Sequence, residues 1–265
     1  MVTIQERTLD LWRAQIQPRV KIAGQGPPLV FFHGAGGLDW DDFLDDLART
    51  HTVYAPEHPG TTPGDPDAIK SLDDLWDLVL YYYELFDRLE LESPIVVGHS
   101  FGGMVAAEVA ATNPKRVSKL VLLSSIGLWR DDTPVKNWMS MAPEALVKEV
   151  FYEPDGPLAK RIFGLPEDPE ERVSAQIQGT WNLACTGKFV WPIPDKGLKK
   201  RLHRIQAPTL VVWGQHDGLV PPIYAQEFTD RIAGSRAEII DKASHVPQLE
   251  QLETVSRIVQ DFLKS

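Results

Sequence analysis

A chain of 265 residues, 43% hydrophobic and 24% charged, can bury one large core and still carry an insertion, as an ordinary globular enzyme does. Its net charge of −10 argues against nucleic acid or an anionic membrane as partner, because both repel an acidic surface. The lone Cys185 excludes an intrachain disulfide and a cysteine-based metal site, no window is apolar enough for a membrane span, and the first seven residues lack the apolar stretch of a secretory signal, so a cytoplasmic location is expected.

Leu9–Trp12 and Val20–Ile22, around Gln17-Pro18, suggest an opening antiparallel pair of strands. After the Gly24–Pro28 breaker comes a buried strand, Leu29–Phe32, which runs into His33-Gly34-Ala35-Gly36-Gly37. Asp39, Asp41, Asp42, Asp45 and Asp46 gather at an expected helix start, where carboxylates are favourable against the dipole, so they read as a solvated face and not a cation site. Thr52–Ala55 is the next strand. Leu72, Leu75, Trp76, Val79, Leu80, Tyr83 and Leu89 then fall at helical spacing, with Ser71 as the expected N-cap and Tyr81 and Tyr82 as surface or packing residues.

The apolar run Ile95–Val97 leads into Gly98-His99-Ser100-Phe101-Gly102-Gly103, and the small-residue helix beginning Met104-Val105-Ala106-Ala107 leaves it. Strand, Gly-x-Ser-x-Gly turn and helix in that order describe a nucleophile elbow, whose glycines make room for a turn too tight for a Cβ. A strand at Lys119–Ser124 follows. From Ser125 to about Pro208 the strand pattern stops; helices are expected near Pro143–Tyr152 and Pro169–Cys185, amid dense tryptophan and proline. Strands resume at Thr209–Trp213 and Ala237–Ile240, and a helix with an apolar stripe, Leu252–Leu263, closes the chain. Apolar runs alternating with amphipathic segments predict a mostly parallel sheet flanked by helices, with residues 1–127 and 206–265 as core and 128–205 as an inserted helical cap.

A serine hydroxyl needs a positioned base, and a base imidazole needs an orienting carboxylate. His245 follows the last strand and Asp217 follows the one before it, so both are expected at the sheet edge that carries Ser100. Asp241 is the rival acid but lies too close in sequence to His245, and His216 reads as structural. The chain order Ser, Asp, His is that of the α/β-hydrolases. A developing oxyanion needs N–H donors: Phe101, directly after the serine, offers one, and Ala35, with Gly36 in reserve, the other. The Gly-rich loop lacks the spacing of a nucleotide site, and the histidines lack metal-ligand spacing, so no metal or other cofactor is expected.

Through His33-Gly34-Ala35, Gly98-x-Ser100-x-Gly102-Gly103, Trp213-Gly214-x-x-Asp217 and Ala243-x-His245, the chain resembles the α/β-hydrolase superfamily over essentially its whole length. The resemblance implies the α/β-hydrolase fold with an inserted helical cap, a Ser100–His245–Asp217 triad, an Ala35/Phe101 oxyanion hole and substrate contacts from Gly34, Trp138 and Val246. It also implies a small-molecule ester or lactone substrate, N-acyl homoserine lactones among them. Carbon–carbon bond hydrolases of ring-cleavage products share the scaffold, but typically carry Asn where this chain has His99. A non-catalytic small-molecule binding protein is the remaining alternative, set against the presence of all three triad residues.

Overall fold

The computed structural model describes residues 2–63 and 65–265. Among them the chain forms β1 (Gln5–Thr8), β2 (Arg19–Ala23), β3 (Pro28–Phe32), α1 (Asp42–Leu47), β4 (Thr52–Pro56), α2 (Leu75–Arg88), β5 (Ile95–His99), α3 (Phe101–Thr112) and β6 (Lys119–Leu123). Then come α4 (Pro143–Val150), α5 (Pro157–Phe163), α6 (Pro169–Val190), β7 (Thr209–Gly214), α7 (Ile223–Thr229), β8 (Arg236–Ile240), α8 (Pro247–Glu250) and α9 (Leu252–Lys264). All eight strands form one sheet in the order β1-β2-β4-β3-β5-β6-β7-β8. β1 and β2 pair antiparallel, β2 pairs antiparallel with β4, and from β4 to β8 every pairing is parallel.

Successive side chains of a strand point to opposite faces, and the central strands are apolar at both. Leu29 and Phe31, Val97, Val121 and Leu123, Leu210 and Val212 pack with α1 and α9 in one core layer. Val30 and Phe32, Val96, Leu120 and Leu122, Val211 and Trp213 join α2 and α3 in the other. This double burial is why the parallel strands read as unbroken apolar runs.

β3 lies between β4 and β5, so consecutive strands depart from it in opposite directions across the sheet. Such a switch point opens a crevice beyond the strand carboxyl ends, where open α/β sheets hold their ligands. The loops after β3 and β5, which carry Ala35 and Ser100, leave the sheet there.

Two expectations are revised. The first strand is Gln5–Thr8, not Leu9–Trp12: Leu9 and Leu11 are buried as a loop bridged Leu11 to Ile16, and Glu84 of α2 accepts the Trp12 amide. The α2 N-cap is Asp74, which accepts from the Trp76 and Asp77 amides, while Ser71 ends a 3-10 turn at Pro66–Ser71. Of the two roles expected for Tyr81 and Tyr82, surface or packing, both take the packing one: they are fully buried and widen the apolar face of the helix. In the acidic cluster, Asp41 caps α1 by accepting from Leu44 N–H, and burial raises its carboxyl to about 6.

Between β6 and β7 the described residues form helices and turns and no strand. α6 extends to Val190, beyond the expected Cys185, and α5 is an additional short helix. No helix among the described residues is long and apolar enough to cross a membrane.

Candidate active site

β5 ends in a turn at Ser100 with φ 54° and ψ −114°, a left-handed backbone that costs a non-glycine residue on the order of 1–3 kcal/mol. The neighbours over-determine it. Ser100 N–H donates to Leu123 O at 2.9 Å, and Ser100 O accepts from Met104 N–H and Ile126 N–H, each at 3.2 Å. A Cβ on Gly98 would run into the Gly102 backbone, and one on Gly102 into the Phe32 carbonyl, so the turn closes only with hydrogen at both places.

The hydroxyl held there meets an imidazole. Ser100 Oγ lies 2.8 Å from His245 Nε2, and His245 Nδ1 lies 2.9 Å from Asp217 Oδ2. A carboxylate only accepts, so Nδ1 carries the proton and donates to Asp217, leaving Nε2 free to accept from the serine O–H. The other Asp217 oxygen, Oδ1, accepts from Leu219 N–H at 3.0 Å and Val220 N–H at 2.8 Å, which fixes the carboxylate plane. All three side chains are withdrawn from solvent: Ser100 is 7% exposed, Asp217 4% and His245 4%. The rival acid Asp241 is a solvated side chain 3.9 Å from His216 Nε2 and does not reach His245.

The loop after β3 lies beside this chain of hydrogen bonds. A Cβ on Gly34 would fall 2.9 Å from His99 Nδ1 and 3.6 Å from Ser100 Cβ. Gly37 N–H closes the turn by donating to Gly34 O at 3.4 Å. The Ala35 and Phe101 amides have no hydrogen-bond partner among the described residues, and Phe101 opens α3 immediately after the serine. Such an arrangement offers two free N–H groups and a helix N-terminus beside a hydroxyl–imidazole pair, which suits attack on a carbonyl carbon.

Two further histidines, His33 of the Gly-rich motif and His58, which the sequence reading missed, brace the loop. His33 Nδ1–H donates to Gly34 O at 2.7 Å while its Nε2 accepts the His58 amide at 3.0 Å. His58 Nε2–H donates to His33 O at 2.8 Å, its Nδ1 accepts from Tyr82 O–H, and its ring meets Phe101 edge-on at 4.9 Å. Burial holds both rings neutral: His33 falls well below the usual imidazole range and His58 to about 4. His99, pushed by burial to about 3, donates from Nε2 to His245 O at 2.8 Å. Twenty-five residues separate His33 from His58, and no local spacing marks such a pair.

Of the other expected contacts, Val246 adjoins His245 as the N-cap of α8 and is buried. Trp138 is a buried residue of a 3-10 turn at Trp138–Ser140, lining a small cavity with Val135, Val190 and Trp191.

The α/β-hydrolase fold family model matches residues 27–252. The chain belongs to the α/β-hydrolase family. It is a hydrolase. Over 99% of its length it is 25% identical to a 2-hydroxy-6-oxo-6-phenylhexa-2,4-dienoate hydrolase of Burkholderia cepacia, covering 95% of that protein. It is also 25% identical to a pimeloyl-[acyl-carrier protein] methyl ester esterase of Vibrio campbellii, over 90% of this chain and 95% of that one. Among solved structures, a 2-hydroxy-6-oxo-6-phenylhexa-2,4-dienoate hydrolase from Rhodococcus sp. strain RHA1 superposes with a TM-score of 0.75 at 21% identity, covering all of both chains. That likeness shows the fold alone.

Proposed function

We propose that this α/β-hydrolase is a serine hydrolase of small carboxylic esters or lactones, with Ser100 as nucleophile, His245 as general base and Asp217 as its orienting acid. The observation that supports it is the unbroken path Ser100 Oγ, His245 Nε2, His245 Nδ1, Asp217 Oδ2, with both links under 3 Å. Ser100 Oγ attacks the acyl carbon as its proton passes to His245 Nε2, and the carbonyl oxygen becomes an oxyanion facing the Ala35 and Phe101 amides. Collapse expels the alkoxide, which takes the proton from His245, and leaves an acyl-serine. Water then repeats the sequence: its oxygen bonds to the acyl carbon as His245 takes its proton, the acyl–Oγ bond breaks as His245 returns that proton to Ser100 Oγ, and the acid leaves. In a lactone the leaving alcohol stays tethered to the acyl group, so the same steps open the ring; N-acyl homoserine lactones are the specific substrates we favour.

Residues 128–205 act in this reading as a cap whose apolar side chains receive the acyl chain. Phe189, for example, stacks on Phe101 at 6.3 Å. Both the ester-cleaving and the dienoate-cleaving relatives are compatible with one scaffold. The ester reading is favoured because His99, where carbon–carbon hydrolases typically carry Asn, has its Nε2–H engaged by His245 O. A p-nitrophenyl ester and lactone screen, run beside ring-cleavage dienones and fluorophosphonate labelling, tests the proposal. Esters or lactones should be the faster substrates, and Ser100→Ala should abolish turnover and labelling. Dienones cleaved faster than any ester would move the enzyme to carbon–carbon cleavage, and a protein inert to all probes would leave the binding-protein reading.

A further inference from the structure

Helix α6 rests on the loops that follow β3 and β4 through polar side chains that the reaction steps do not use. Asn182, 7% exposed, donates from Nδ2 to Gly36 O at 2.9 Å and accepts at Oδ1 from Gln178 Nε2 at 2.7 Å. One residue before it, Trp181 Nε1–H donates to Gly60 O at 3.0 Å in the loop after β4. The fit is close: Gly37 has φ +107°, and a Cβ there would sit 2.5 Å from Asn182 Nδ2. Two turns further along, Phe189 of the same helix stacks on Phe101. One helix therefore touches both elements that bear the free amides.

The turn it holds is poorly fixed by itself. Three of the four residues Gly34–Gly37 are glycine, which lose the most backbone freedom on ordering, and the turn's own hydrogen bond is long at 3.4 Å. A buried side-chain amide on Gly36 O supplies the second anchor, from a helix 146 residues away in sequence. We propose that Asn182 is a positioning residue: it couples the seating of α6 to the alignment of the Ala35 amide, so the oxyanion site is complete only while the helix is down. This rests on the serine-hydrolase reading above. Ser100 is only 7% exposed, and in this proposal α6 lifts to admit substrate and its return assembles the amide that the reaction needs.

The test separates oxyanion binding from packing. An alkyl trifluoromethyl ketone adds Ser100 Oγ to its carbonyl carbon, with the hydroxyl proton passing to His245, and so places an oxyanion in the hole. The matching methyl ketone binds without building that charge. Asn182→Ala should weaken the trifluoromethyl ketone about 10- to 100-fold and lower kcat by a like factor. The methyl ketone affinity and KM should stay within about twofold of the parent, as uniform binding is untouched. Asn182→Asp is isosteric and still accepts from Gln178, but turns an oxygen toward Gly36 O, so it should lose at least as much as the alanine variant. If Asn182→Ala fails to fold, Asn182→Asp and Gln178→Ala, which removes the amide orienting Asn182 together with its long contact to Thr61 O at 3.5 Å, carry the same comparison. An aspartate variant with parental analogue affinity, or equal weakening of both ketones, overturns the coupling while leaving the serine reading intact. A parent protein that forms no adduct with the trifluoromethyl ketone or a fluorophosphonate overturns the serine reading and this inference with it.

Discussion

The backbone amide of His245 donates to the carbonyl of Val150 at 3.0 Å, closing the last turn of α4 directly onto the loop that carries the histidine. The preceding carbonyl, Glu149 O, accepts from Gly218 N–H at 3.2 Å and from Ser244 Oγ–H at 2.9 Å. Carbonyls of a final helical turn lack intrahelical partners, and here the loops bearing Asp217 and His245 supply them. A segment inserted between β6 and β7 thereby sets the spacing of two loops that follow other strands.

Glu250 makes the same connection with a side chain. Its Oε1 accepts from Tyr152 N–H and its Oε2 from Ser244 N–H, each at 2.6 Å. Glu250→Gln keeps the shape but turns an NH2 toward one of these N–H groups, leaving a donor unsatisfied at about 1–3 kcal/mol. Thermal denaturation should show a midpoint lower by a few degrees, at about 2–4 °C per kcal/mol for a chain of this size class. Steady-state kinetics should show kcat falling more than KM rises. An unchanged midpoint would show that the two loops do not depend on this carboxylate.

Asp217→Asn should cost ~10⁴ in kcat, because an amide nitrogen opposite Nδ1 favours the tautomer with the proton on Nε2, which cannot accept from Ser100. Asp241→Asn should change kcat by less than about twofold, since Asp241 is solvated and approaches His216, not His245. Parallel kinetics on one ester decide it, and the reverse order of effects would assign the acid to Asp241.

Much of this was legible from local pattern. The parallel strands announce themselves as apolar runs because both their faces are covered, and the elbow because its glycines cannot be replaced without collision. β1 escaped notice since all four of its residues are exposed, leaving no alternation to read, while the apolar Leu9 and Leu11 beside it pack as loop. Asp217 and His245 could be placed from strand ends. His58 and Asn182 could not: their partners are His33 and Gly36, and only the completed sheet and the seated helix bring those pairs together.

Acid should weaken the fold through the buried imidazoles. His58, lowered to about 4, and His99, to about 3, stay neutral when folded, as does His33, whereas an unfolded imidazole titrates near 6.5. As pH falls below about 6.5 the unfolded chain binds protons that the folded chain refuses. Stability is thus whole above that value and declines toward the folded pKa values, by about 1.4 kcal/mol per unit and per histidine. Asp41, raised by burial to about 6, opposes this by holding a proton when folded, so the net slope between pH 6 and 4 is less than the imidazoles alone would give. Urea midpoints should be flat from pH 7 to 8 and fall from 6.5 to 4.5. His58→Gln, which can still accept from Tyr82 and donate to His33 O, should show a shallower fall. An identical pH slope in the variant would mean His58 takes up its proton in the folded protein as readily as in the unfolded one.

Acyl preference should follow apolar length. α6 brings Phe189 against Phe101 at the elbow and Cys185 to the loop after β4, where its Sγ lies 2.8 Å from where a Cβ on Gly60 would be. Neither carries a charge to pair with an ionic acyl group. Each buried methylene contributes about 0.8 kcal/mol, close to fourfold in kcat/KM, until the space beneath the helix is filled. Straight-chain p-nitrophenyl esters should therefore rise with length and then level; N-acyl homoserine lactones should also rise but level at a shorter N-acyl chain, because the attacked carbonyl is that of the lactone ring and the chain starts beyond Cα and the amide. Dicarboxylic half-esters of equal length should lag, since their terminal carboxylate would lose its hydration, and Lys188 of the same helix is already engaged by the Ile69 and Leu72 carbonyls. A series whose kcat/KM does not rise with chain length would place its acyl chain outside the 128–205 segment.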